Sequence, residues 1–172
     1  PTPVTGFWAV VAPNVSTAVD MTEALEPVFG AGMVGLDVQQ PVSHRLPTDP
    51  LFSNQWHLRN TSRPDADANV EAAWNAGYTG VGVVVGVIDG GSQTGHQDLS
   101  GNYNATGSKS GGVSSHGTAV AGVIAAVEGN SMGGVGAAYD AEWSNLYYGG
   151  SSYTADNFLH RNDINDIKNN SW

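Results

Sequence analysis

Residues Val81 to Asp89 read Val-Gly-Val-Val-Val-Gly-Val-Ile-Asp, and Gly90-Gly91 follow at once. A β-branched run with no helical period, closed by glycines, predicts a strand buried on both faces. A carboxylate at the last position of such a strand is costly unless the edge of the sheet gives it a partner. The carboxyl ends of strands are also where ligands and chemistry gather in open α/β sheets. A second stretch, Ser115-His116-Gly117-Thr118-Ala119-Val120-Ala121-Gly122, puts a histidine at the mouth of a helix of very small residues. An acid at a strand end and a base at a helix start suggest two parts of a charge-oriented nucleophile system, the third part being a serine.

Composition narrows the setting. The 172 residues include 23 glycines and are 40% hydrophobic, which fits a globular α/β chain rich in tight turns. A net charge of -10 leaves no basic stripe to neutralise phosphates, which argues against nucleic acid as a partner. It suits a chain that binds hard cations through oxygen ligands, or one whose acids are simply solvated. Cysteine is absent, which excludes disulfides, thiolate catalysis and Cys-ligated zinc. No run of about 18 apolar residues appears, so no membrane span is expected. The start, Pro1-Thr2-Pro3, has neither a Met nor a signal peptide, and the chain stops at Trp172 directly after an apolar-periodic segment. Both ends suggest a piece of something longer.

Residues 1–45 stand apart. Phe7–Ala12 reads as a strand, Ser16 or Thr17 caps a helix over Ala18–Val28, and Met33–Val38 reads as a second strand. Such a β-α-β unit is too small to bury a core alone. Pro41–Pro47 is a proline-punctuated linker. Beyond it lie the extended, aromatic Asp49–Leu58 and a short helix from Val70 to Ala76 with Gly77 as its stop. The strand Val81–Asp89 and a polar loop over Gly91–Gly112 come next. A small-residue helix spans His116–Val127, with a strand over Glu142–Tyr148 after it. A helix then runs from Thr154 or Asp156 to Ile164, and a last strand starts at Ile167. Strands alternating with helices predict a parallel sheet with helices on its faces.

In three motifs the chain resembles the subtilisin-like serine proteases, and within them the kexin-like branch. Thr79-Gly80-Val81-Gly82-Val83 through Val87-Ile88-Asp89-Gly90 looks like the strand that ends in the catalytic aspartate. His116-Gly117-Thr118-Ala119-Val120-Ala121-Gly122 looks like the catalytic-histidine helix, and Asp49-Pro50-Leu51-Phe52 with Gln55-Trp56-His57-Leu58 resembles the kexin-type lead-in. The resemblance runs from Asp49 to Trp172. It implies that His116 is the base that takes a serine's proton and that Asp89 orients and stabilises it. It also implies that Ser171-Trp172 belongs to the strand that lines the substrate cleft and pairs with an extended peptide.

The same resemblance implies a Ca²⁺ site. Its ligands would be the side chains of Asp49, Asp98 and Asn130 and the carbonyls of Val127, Met132 and Gly134, an all-oxygen set suited to calcium. Residues 1–45 resemble the C-terminal half of a prodomain, with Arg45–Leu46 as the maturation junction; the alternative is a plain N-terminal extension. Residues 46–172 would then be the N-terminal part of a catalytic domain, secreted or periplasmic, acting on polypeptides and completed by a missing C-terminal part.

Two departures bear on specificity. Kexin-like enzymes carry a second acid after the catalytic aspartate, where this chain has Gly90, and acids before the histidine, where it has Gly112-Val113-Ser114-Ser115. Both cast doubt on a preference for paired basic residues. The family's nucleophile lies in Gly-Thr-Ser, which occurs nowhere in the sequence, and its oxyanion asparagine also lies downstream. The chain as it stands would be inactive. The rival reading is a non-catalytic truncated or pseudoenzyme form acting as a binding or folding module.

Overall fold

The computed structural model describes residues 10, 12–30, 34–35, 45–149 and 155–171. The chain divides into two compact units, Pro1–Pro41 and Val42–Trp172. In the first, α1 spans Val15–Phe29. Asn14, rather than Ser16 or Thr17, caps it by accepting from the Thr17 amide at 2.9 Å. The strands expected at Phe7–Ala12 and Met33–Val38 lie largely outside the described residues.

The second unit is built on a three-stranded parallel sheet in the order β2-β1-β3, with β1 at Val84–Asp89, β2 at Glu142–Tyr147 and β3 at Ile167–Asn170. β1 is the middle strand and its residues Val85 to Asp89 are all buried, as a β-branched run without polar alternation requires. It begins at Val84 and not at Val81, because Gly80 and Gly82 have φ of +97° and +79° and turn the chain before the ladder starts. Asp89 lies opposite Tyr147 on β2, and on the other side Ile88 lies opposite Asn170 on β3.

Between β1 and β2 in the chain runs α3, Ser115–Ala125, whose Gly117, Ala121 and Ala125 are buried. Ala121 and Ala125 pack with Val87, Leu99 and Trp143, so the small side chains let the helix lie close on the sheet. Trp143 is fully buried and donates its indole N–H to the Leu99 carbonyl at 2.9 Å. A second core ties the lead-in to α2, Val70–Asn75, and to the segment ahead of β2: Phe52, Leu58, Trp74, Val135 and Tyr139 cluster there.

α4 covers only Ala155–Leu159, short of the expected Ile164. Arg161 sits at φ +48°, a left-handed conformation that does not continue a right-handed helix. No helix among the described residues is long and apolar enough to cross a membrane.

Candidate functional site

The end of β1 and the start of α3 meet at one corner. His116 Nδ1 lies 2.7 Å from Asp89 Oδ2, a distance at which an imidazole N–H donates to a carboxylate. Asp89 is buried, while the His116 side chain is 60% exposed, so the ring is held at its base and open at its tip. No described residue bonds to its Nε2. The other carboxylate oxygen, Oδ1, accepts from the Gly90 amide at 2.7 Å and from the Ser114 hydroxyl at 3.2 Å.

Close approach makes this geometry possible. A Cβ on Gly117 would lie 2.3 Å from the Gly91 carbonyl and 3.0 Å from Asp89, so no larger residue lets the helix abut the strand end. Ser114 caps α3 by accepting from the Gly117 amide at 2.9 Å. Beside the corner, an open groove of about 540 Å³ runs between α3 and the preceding loop, lined by Gln93, His96, Ser115, Thr118, Ala119 and Gly122. One residue past the Ile88–Asn170 pair, Ser171 stands half-buried at the same end of the sheet as Asp89. Its hydroxyl accepts from the Asn169 amide side chain at 2.7 Å. Trp172 lies outside the described residues.

A second polar cluster gathers at the turn after α3. Asp49 and Asp98 are 4% and 6% exposed, and both reach this turn. Asp49 Oδ2 accepts from the Gly129 amide at 2.9 Å, but its Oδ1 is buried with no hydrogen-bond partner. Asp98 accepts from the Asn130 side-chain amide at 2.8 Å and from the Gly134 amide at 3.1 Å. The Asn130 oxygen accepts from the Met132 amide at 2.7 Å, so its nitrogen is the atom that faces Asp98. Among the described residues no donor reaches the carbonyl oxygens of Val127, Met132 or Gly134.

Gly133, at φ +51°, shapes the cradle: a Cβ there would come within 2.0 Å of Asp98 Oδ2. The lead-in is stitched to the same turn. Leu51 donates its amide to Gly133 at 2.7 Å, and the Gln55 side chain bonds both the amide and the carbonyl of Val135 at 2.8 Å. Gln55 and Ser114 are the site-forming residues that sequence reasoning did not single out. Ser114 carried a signal, a serine directly ahead of a helix start; the Gln55 bracket, across 80 positions, carried none.

Among the described residues no three His, Cys, Asp or Glu side chains converge on a common point. An ion at the turn would therefore rest on two carboxylates and neutral oxygens.

The corner thus brings together the two residues, Asp89 at the end of a central parallel strand and His116 at a helix start, that the sequence motifs single out. The Subtilase family model of peptidase S8 matches residues 80–172. The chain belongs to that family. It is 43% identical over 111 residues to furin-like protease 2 of Drosophila melanogaster, covering 58% of this chain and 7% of that one. Kexin of Saccharomyces cerevisiae is 37% identical over 139 residues, covering 72% of this chain and 17% of kexin. The solved serine protease of Aeromonas sobria superposes with a TM-score of 0.58 at 28% identity, over 78% of this chain and 26% of that one. The chain thus spans about a quarter or less of the length of each of these relatives.

Proposed function

We propose that this chain supplies the acid and the base of a serine endopeptidase of the kexin-like branch. The observation that carries the reading is the 2.7 Å contact of His116 with Asp89 beneath an open Nε2. His116 Nε2 takes the proton of a serine hydroxyl as the oxygen attacks a peptide carbonyl, and later returns it to the leaving amine. Proton uptake builds positive charge at the N-terminus of α3, where the helix dipole opposes it. The Asp89 carboxylate beneath Nδ1 offsets that opposition and keeps the ring in one tautomer. Without the serine and an oxyanion donor the chain has no acyl-enzyme step. Both belong, in this proposal, to a longer protein, in line with the small share of its relatives that the chain spans.

The substrates proposed are polypeptides bound extended, with Ser171 and Trp172 on the wall of the cleft. Parallel register supports the placement of Ser171, because β3 brings it to the level of Asp89.

We also propose Ca²⁺ at the turn 127–134. Its support is the buried, unpartnered oxygen of Asp49, the three carbonyls that no described donor meets and the cradle left by Gly133. Asp49, Asp98 and those carbonyls would hold the ion, and Asn130 would join them by turning its amide over. Bound calcium would supply a staple between the lead-in and the turn.

Release of residues 1–45 at Arg45–Leu46 is proposed on the exposure of both residues. N-terminal sequencing of the secreted protein tests it, and a start at Pro1 refutes it.

The test of the main reading is hydrolysis of an unbiased peptide library by the full-length protein, with and without a serine-directed fluorophosphonate. Hydrolysis blocked by the reagent is expected. A protein that neither cleaves nor takes the label is not a serine endopeptidase.

A further inference from the structure

We infer that Ser114 is a positioning residue for the acid–base pair, beyond its role as a helix cap. This rests on the roles proposed above for Asp89 and His116.

The terminal torsion of an aspartate is broad, so its carboxylate plane needs external donors to fix it. Among the described residues Asp89 has three: His116 at Oδ2, and the Gly90 amide and Ser114 hydroxyl at Oδ1. Gly90 is the next residue in the chain and belongs to the same strand end, so it cannot report where the helix lies. Ser114 stands two residues before His116, and its hydroxyl ties the far oxygen of Asp89 to the turn that carries the imidazole. Carboxylate and ring are then held from both ends of the carboxylate.

The same hydroxyl closes a small network. Ser114 Oγ accepts the Gly117 amide at 2.9 Å, while its one proton is shared between Asp89 Oδ1 at 3.2 Å and the Gly91 carbonyl at 3.0 Å. A hydroxyl here serves the cap as an acceptor and the pair as a donor. The two roles therefore come apart on substitution. Glycine is nearly as good an N-cap as serine, whereas alanine is a poor one; neither has a hydroxyl to donate.

The test compares Ser114→Gly, Ser114→Ala and Ser114→Thr in the full-length enzyme, reading kcat, KM and Tm. A positioning role lowers kcat by about tenfold in both Gly and Ala variants, with KM nearly constant, and Thr restores it. Tm separates the first two, Ala falling further than Gly. The inference is overturned if kcat follows Tm, so that Gly behaves as wild type, or if all three variants keep wild-type kcat. The wild-type control separates the two levels: cleavage with no Ser114 effect sinks only this inference, whereas an unlabelled, inactive wild type sinks the assignment beneath it.

Discussion

Two buried carboxylate sites in the same unit are finished to different degrees. At the corner, Asp89 has its oxygens met by three donors from its own chain. At the turn after α3, Asp49 keeps one buried oxygen with no partner while three carbonyls nearby accept nothing from the described residues. A buried carboxylate oxygen without a partner is expensive, which is the observation behind the calcium proposed at this turn. The corner needs no ion to be formed.

The contrast can be broken at several points. The largest effect belongs to His116→Ala in the full-length protein: with His116 in its proposed role as base, kcat should fall by about a millionfold. Removal of the ring also leaves the buried Asp89 Oδ2 without its donor, so stability should fall by about 1–3 kcal/mol, read as a lowered Tm. Retained hydrolysis removes the assignment. Chelation comes next. With calcium held about a hundredfold above its dissociation constant, its removal should cost about 2.7 kcal/mol, read as a lowered Tm. Asp98→Ala should blunt that response. An unchanged Tm under chelator would make the turn as self-sufficient as the corner.

Gly117→Ala should cost about 1–3 kcal/mol, since its Cβ would lie 2.3 Å from the Gly91 carbonyl. Calorimetry with and without chelator should show this loss to be independent of calcium. Gly90→Ala gives the smallest effect. Its Cβ meets nothing nearer than 3.6 Å, so stability should stay within about 0.5 kcal/mol. A large loss there would mean that the corner tolerates less than its packing suggests.

The corner was far more legible in the sequence than the turn. Asp89 and His116 sit in short local patterns, a buried strand and a small-residue helix, and each pattern states where its element ends. The end of α4 was not legible, because a single left-handed residue, Arg161, stops it, and arginine carries no preference for that conformation. β1 starts three residues later than the sequence pattern predicts, since valines at positions 81 and 83 suit a strand while the turn lies in the backbone of the glycines beside them. The Gln55 bracket around Val135 depends on a pairing between distant segments that no local period encodes. The oxygen set proposed for the turn is accessible only by resemblance, because main-chain carbonyls have no sequence signature.

β1 is translated before either of its neighbours, yet it occupies the middle of the sheet. Parallel partners cannot be supplied by a hairpin, so the strand Val84–Asp89 must wait for β2, which begins only at Glu142, and then for β3 at Ile167. At about 5–20 residues per second of synthesis, that leaves an apolar strand without partners on either edge for several seconds. The segment that carries the candidate catalytic acid thus depends on partners that lie later in the chain, and non-local parallel pairing of this kind is intrinsically slow.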